Sequence, residues 1–373
     1  MIEYYLRENL KKYKLRREKK LLLEAAPILG NFMLFNSLPI PAEIFLMIFG
    51  LILLIKGGDW FVDASVGIAK RLGLPELLIG ATVVSIGTTL PEVLTSVFAA
   101  TGGSGDIAYG NAIGSIICNT ALICAITVAI KPGKVDGKTL IFPVSAFFVA
   151  AVFYALNAYI AQSFALWSGI ILLVGFVVYM VINVLNMKKN PESAELEITE
   201  IENAEDEKKP SLIPNIVMLI IGAATIAIGA SLLATNAESV AVNYLHMSPV
   251  VVGVTIVALG TSLPELVTAI TSLMKGHGSL SLGNIIGANI FNLVLVSGAA
   301  ITIAPFDLPV DLKIGNIPAS LVIDLPLVFV VMGILTIPTI FKGKLSRWQG
   351  ISLLCLYAAF LTVTAILGFS QAA

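Results

Sequence analysis

The chain has 373 residues, 57% of them hydrophobic and 13% charged, with a formal net charge of −1 and a mean hydropathy of +0.93. So little polar surface excludes a water-soluble globule. The composition reads as an all-α membrane protein with the lipid bilayer as its surroundings, and no nucleic-acid partner is expected.

Residues 1–42 come first and are strongly basic, with Arg7, Lys11, Lys12, Lys14, Arg16, Arg17, Lys19 and Lys20. Such a segment prefers the cytoplasm. It reaches the core either through an extra span at about 21–39, weakened by Glu24, Asn31 and Asn36, or as an interfacial amphipathic helix. A cleaved signal peptide is not expected, because no small-residue cleavage pattern follows a compact apolar stretch.

Apolar runs of spanning length follow near 43–67, 74–100, 107–130, 138–157, 163–186, 211–235, 247–274, 280–304, 318–341 and 348–369. Each approaches the roughly 20 residues that a membrane helix needs. This predicts a ten-helix core, five helices in 43–186 and five in 211–373, joined by a linker at 187–210. The linker carries Glu192, Glu195, Glu197, Glu200, Glu202, Glu205, Asp206 and Glu207. It reads as a solvated cytoplasmic loop, since it lacks the glycine-containing spacing of a calcium-binding loop.

The second run holds Gly87-Thr88-Thr89-Leu90-Pro91-Glu92, and the seventh holds Gly260-Thr261-Ser262-Leu263-Pro264-Glu265, 173 residues later. At that offset 78–123 and 251–296 align without a gap, and more than a third of the positions are identical, including Thr95/Thr268, Asn111/Asn284 and Asn119/Asn292. An odd number of spans per half sends the second half into the membrane from the opposite side, so the halves form an inverted-topology pair. Loop charges set the orientation. With the linker in the cytoplasm, Lys70, Arg71, Lys131, Lys134, Lys138, Lys188, Lys189, Lys208, Lys209, Lys275, Lys342, Lys344 and Arg347 share that side, whereas the opposite loops of the core hold Lys313.

A charged side chain at bilayer depth costs about 2.5–3.5 kcal/mol on insertion scales. Two glutamates in matched places therefore indicate a cation site. Thr88 and Thr89 precede Glu92 by four and three residues and share its helix face; Thr261 and Ser262 do the same for Glu265. Pro91 has no N–H and leaves the Gly87 carbonyl without its helical donor, while Gly87 permits local unwinding. Carboxylates, hydroxyls and freed carbonyls are the oxygen ligands that sodium and calcium take.

In the next span of each half, Asn111, Ser115 and Asn119 recur every four residues, as do Asn284, Ala288 and Asn292. Asn111 and Asn284 read either as packing amides or as ligands, and Ser115, Asn119 and Asn292 as ligands or direct neighbours of the ion. Gly110/Gly114 and Gly283/Gly287 are small-residue pairs that let helices approach closely. Asp59, Asp63 and Asp324 are weaker candidates, lining an access path or snorkelling to the interface, the first two beside Lys56. Cys118, Cys124 and Cys355 read as packing residues. His246 and His277 form no metal-ligand pattern, and Trp60, Trp167 and Trp348 sit near span ends as interfacial anchors.

At these residues the chain resembles the calcium/cation antiporter superfamily, of the prokaryotic sodium/calcium exchanger type, over about 43–369. The resemblance implies that Glu92 and Glu265 bind calcium directly. It also implies that Thr88, Thr89, Thr261, Ser262 and the backbone carbonyls of Ser85 and Ala258 complete the calcium and sodium sites, with Ser115, Asn119 and Asn292 contributing from the following spans. Ala288 stands where the family often has serine, and Asn292 where it often has aspartate, which leaves sodium or protons open as the coupling ion. The implied function is a secondary antiporter of the plasma (inner) membrane that expels calcium in exchange for sodium by alternating access, with calcium/proton exchange as the alternative. Neither a cofactor nor an enzymatic activity is expected. A cation channel suits two oppositely facing half-sites less well, and an intramembrane protease needs a catalytic pair that neither glutamate has beside it.

Overall fold

The computed structural model describes residues 39–72, 79–189, 212–240, 260, 262–310 and 312–372. The extra span expected at 21–39, nearly all of the 187–210 linker, and the site positions Ala258 and Thr261 lie outside the described residues.

Among the described residues ten helices can be bounded, in chain order: α1 Ile40–Leu72, α2 Gly80–Thr101, α3 Gly105–Ile130, α4 Gly137–Ala161, α5 Leu166–Lys189, α6 Leu212–Ser239, α7 Leu263–Met274, α8 Gly278–Ile303, α9 Ser320–Lys342 and α10 Arg347–Ala372. Among the described residues all but α7 are long and apolar enough to cross a membrane. α3 and α8 are the most enclosed, and α1, α6 and α10 turn most of their length outward with side chains such as Phe45, Ile220 and Ile366. That inversion of a soluble protein's surface is what lipid requires.

The helix ends gather at two faces. On one, β1 (Ser163–Phe164), between α4 and α5, pairs antiparallel with β2 (Phe306–Asp307), after α8, and Gly105 at the start of α3 packs against the Phe306 side chain. On the other, the loop after α3 meets the loop before α10: Val135 N–H donates to Gly343 O at 3.0 Å and Leu345 N–H to Gly133 O at 2.8 Å. α3 therefore begins at the face where α8 ends. Since Gly105–Ile130 and Gly278–Ile303 are equivalent at the 173-residue offset, the halves are inverted, as the odd span count requires. A short hairpin of β3 (Lys313–Ile314) and β4 (Ile317–Pro318) leads into α9.

The turns that feed α3 and α8 are the same motif built twice. Gly103 (φ +87°) and Gly276 (φ +89°) occupy the left-handed region that only glycine enters cheaply. Around them Gly103 N–H bonds to Ala100 O and Ser104 N–H to Ala99 O, as Gly276 N–H does to Leu273 O and His277 N–H to Ser272 O. These paired bonds satisfy the last carbonyls of α2 and α7 in the Schellman pattern, so the chain doubles back tightly and sets each amide-bearing helix beside its glutamate-bearing one.

α1 and α6 touch backbone to backbone. A Cβ added at Gly50 would stand 2.8 Å from Gly229 O, and one at Gly229 would stand 2.7 Å from Gly50 O; Gly57 and Gly222 make equivalent approaches to Ile226 and Phe61. The expected close approach at Gly287 is present, against Ala81 and Ser85 of α2. At Gly110 and Gly114 the expectation fails: no atom lies within 4 Å of where a Cβ would be. Gly253, which by the repeat would mirror the contact of Gly80 with α8, lies outside the described residues.

Asp59 and Asp63 are engaged by Lys275 at the end of α7 rather than by Lys56. Lys275 Nζ lies 2.7 Å from Asp63 Oδ1 and 3.4 Å from Asp59 Oδ1, and it donates to Asp59 O at 3.2 Å. They clamp α1 to α7 and lie apart from the glutamate site.

Alanine at Gly103 or at Gly276 is expected to cost about 1–2 kcal/mol each through left-handed strain alone, since no neighbour lies within 4 Å of either. Gly175→Ala, in the interior of α5 with equal room, is expected to be neutral or stabilising. Thermal unfolding of the detergent-purified protein measures all three.

Candidate functional site

Glu92 stands in the middle of α2 and Glu265 in the first turn of α7, where a helix N-terminus favours negative charge. Pro264 also sits in that first turn, where its missing N–H costs no intrahelical bond. Pro91 lies inside a continuous α-helical stretch, Ser85–Thr101, so the expected unwinding at Gly87 does not occur. Gly87 instead makes room for the Phe61 ring of α1, which a Cβ would meet at 3.1 Å. The irregular backbone lies one turn earlier, in the π-helical segment Gly80–Val84.

The amides are placed by the same device. α3 changes to π-helix over Asn119–Cys124 and α8 over Asn292–Val296, each wide turn beginning at the repeated asparagine. A π turn inserts an extra residue per turn and commonly marks a functional position. α7 packs against the π turn of α3, and α2 against that of α8. Each glutamate helix thus adjoins the asparagine turn of the other half, so both halves are needed to build the site.

Ser85, Thr89, Glu92, Asn119, Ser262, Glu265 and Asn292 are all completely buried, with Thr88 and Ser115 nearly so. Burial without a partner is costly for polar groups and more so for charges. Yet both oxygens of Glu92, both of Glu265, the Asn119 and Asn292 carboxamides, Thr89 Oγ1 and Ser262 Oγ all lack a hydrogen-bond partner. The carboxyls are within interaction range of one another, and Glu265 of the Thr88 hydroxyl, without reaching hydrogen-bond geometry. Four carboxyl, two amide and two hydroxyl oxygens on these adjoining helices and turns are thus buried without partners, and calcium takes roughly six to eight oxygens. Among the described residues no group of three or more His, Cys, Asp or Glu side chains forms, so two acids among neutral oxygens is the donor set. It fits a hard cation.

The outer amides divide. Asn111 Nδ2 donates to Glu92 O at 3.1 Å and to Ser96 Oγ at 2.9 Å, tying α3 to α2 as a packing amide. Asn284 Nδ2 donates to Thr268 Oγ1 at 3.0 Å, and its Oδ1 faces Thr88 Oγ1 at 3.4 Å. Thr268 was visible in the sequence as a repeat identity with Thr95, but nothing in its spacing assigned it a partner. The Ser85 hydroxyl lies 2.7 Å from Gly80 O and 2.9 Å from Asn284 O. Ala288, the counterpart of Ser115, is buried and brings no oxygen. Asp324 ends a π segment at the start of α9.

Residues 42–185 and 214–366 match the family model described as sodium/calcium exchanger protein. The chain is 35% identical over 308 residues to the uncharacterized membrane protein MJ0091 of Methanocaldococcus jannaschii, covering 83% of this chain and 93% of that one. It is 36% identical over 280 residues to the putative antiporter CaxA of Alkalimonas amylolytica, covering 71% and 81%. A structure of the sodium-calcium exchanger NCX_Mj, soaked with sodium and strontium, superimposes with a TM-score of 0.72 at 32% identity, over 87% of this chain and 99% of that one.

Proposed function

The chain belongs to the sodium/calcium exchanger family, and from that premise we propose that it is a secondary antiporter that expels calcium in exchange for sodium, by alternating access at the Glu92–Glu265 site. It is an integral multi-pass membrane protein and a transporter, not an enzyme; calcium and sodium are cargo, and no cofactor is indicated. Its place is the plasma (inner) membrane, the boundary across which calcium is expelled. The halves 43–186 and 211–373, joined by the acidic linker, are the two bodies whose relative movement opens the site to either side.

The observation that carries this reading is a pair of buried, unpartnered glutamates, one from each half and within interaction range of one another, on helices that adjoin the buried, unpartnered asparagines of the other half. Glu92 and Glu265 are the calcium carboxylates. Thr88, Thr89, Thr261, Ser262, Ser115, Asn119, Asn292 and the carbonyls of Ser85 and Ala258 supply the neutral oxygens for calcium and sodium. Two carboxylates balance the charge of one calcium. Three sodium ions in its place leave one net positive charge, whereas two protons neutralise the acids. Asn292 offers a carbonyl oxygen to sodium and no group to protonate, which favours sodium.

In inside-out vesicles an opposing sodium gradient at fixed pH is expected to drive calcium uptake with movement of one net positive charge per calcium. Electroneutral exchange that persists without sodium, and acidifies the compartment losing calcium, would assign two protons to the coupling step; failure of both gradients to move calcium would remove the antiporter reading. Glu92→Gln and Glu265→Gln keep the shape and remove one of two charges. Each is expected to weaken calcium binding by about 2–5 kcal/mol, roughly 30-fold or more, while the protein remains folded. Isothermal titration of the purified variants checks this, and wild-type affinity in either would refute the assignment.

A further inference from the structure

A threonine hydroxyl has one proton and two lone pairs. It ligates a cation only when that proton points away from the ion, toward an acceptor, and in a closed interior the protein itself has to supply that acceptor. For Thr88 the geometry points to Asn284. We propose that Asn284, which is outside the ligand set of the proposed function, is a positioning residue: its amide oxygen takes the Thr88 proton and leaves the Thr88 lone pairs free for the ion. The proposal rests on the reading of Glu92, Glu265 and Thr88 as the cation site.

Asn284 Oδ1 has two hydroxyls in range, Thr88 Oγ1 at 3.4 Å and Ser85 Oγ at 3.3 Å. Ser85 has shorter alternatives, Gly80 O at 2.7 Å and Asn284 O at 2.9 Å. Its single proton is thereby committed to a main-chain carbonyl, and the amide oxygen is left to Thr88.

The orientation of the amide follows from its other end. Thr268 Oγ1 lies 3.0 Å from both Pro264 O and Glu265 O, so its proton is committed to a carbonyl of its own helix. Toward Asn284 it therefore presents a lone pair, which accepts the Nδ2–H at 3.0 Å. A flipped amide would set oxygen against that lone pair and an N–H against Thr88, whose proton would then be free to point at the ion. Thr268 on α7 thus fixes Asn284 on α8, and Asn284 fixes Thr88 on α2.

The relay joins the two halves, because Thr88 comes from the first and Asn284 and Thr268 from the second. It is not duplicated: Asn111, the counterpart of Asn284, donates to Ser96 and Glu92 O instead of to Thr95. Ser85, whose hydroxyl meets α8 here, has Ala258 as its counterpart.

The test is calcium–calcium exchange in proteoliposomes, which needs no coupling ion, on the full chain. Asn284→Leu is expected to raise the calcium KM about tenfold, the scale of one hydrogen bond, with the maximal rate within about twofold, as loss of a ground-state contact dictates. Thr88→Ala is expected to do the same, and the double variant to be no worse than either single one. Thr268→Val, close to isosteric, is expected to raise KM severalfold and to add nothing in the Asn284→Leu background; it also serves if Asn284→Leu does not fold. An unchanged KM in Thr268→Val, or full additivity of Asn284→Leu with Thr88→Ala, overturns the proposal. Glu92→Gln is run beside them: if it too leaves calcium affinity unaltered, the site assignment has failed rather than the role of Asn284.

Discussion

Two carboxyl groups buried without a partner are the constraint on which the rest of this protein depends. In a low-dielectric interior an uncompensated charge costs several kcal/mol, and here both acids are fully enclosed with all four oxygens unpaired. A fold that keeps such groups has to offer them a transient positive partner. It also has to keep resident cations away, and Lys275, the cation that caps α7, is held at the helix end by Asp59 and Asp63. The surroundings are accordingly hydroxyls and amides, which ligate a metal ion without competing with it in charge.

The bilayer adds a second demand. Backbone groups at membrane depth must remain paired, so a ligand cannot be aimed simply by breaking a helix. The π-helical turns at Asn119 and Asn292 meet both requirements. They keep a hydrogen-bonded backbone while turning the following residues through an altered angle, so that α3 and α8 stay the best-buried helices of the core and yet present an amide to the neighbouring half.

Much of this was legible in the sequence, for identifiable reasons. Apolar run length fixes membrane helices almost alone, because lipid leaves the backbone no other way to pair. The offset of 173 located Glu92 and Glu265, and with them the hydroxyls three and four residues earlier. The features that escaped depend on geometry between helices. Pro91 and Gly87 looked like a helix break, but proline is accommodated within the helix, and Gly87 serves the packing of Phe61. The π turns have no residue signature, since an extra residue in a turn is a register effect. Asp59 and Asp63 are neighbours of Lys56 in sequence, whereas a long lysine side chain from the end of another helix reaches them in space. The glycines of α1 and α6 recur at intervals of seven, and only the contact itself identifies them as a pair of touching surfaces.

Lys275, Asp59 and Asp63 carry one more consequence. At the repeat offset their counterparts are Gly102, Leu232 and Asn236, so the ionic clamp has no twin on the opposite side. Two identical inverted halves would make the molecule degenerate: turned over, it would be the same object, with no preferred side at rest. A one-sided clamp lifts that degeneracy. Its side chains are 28%, 39% and 67% exposed, so water discounts it to about 1 kcal/mol at most. That is at most a factor of about five between clamped and unclamped populations, and dissolved salt erodes it further.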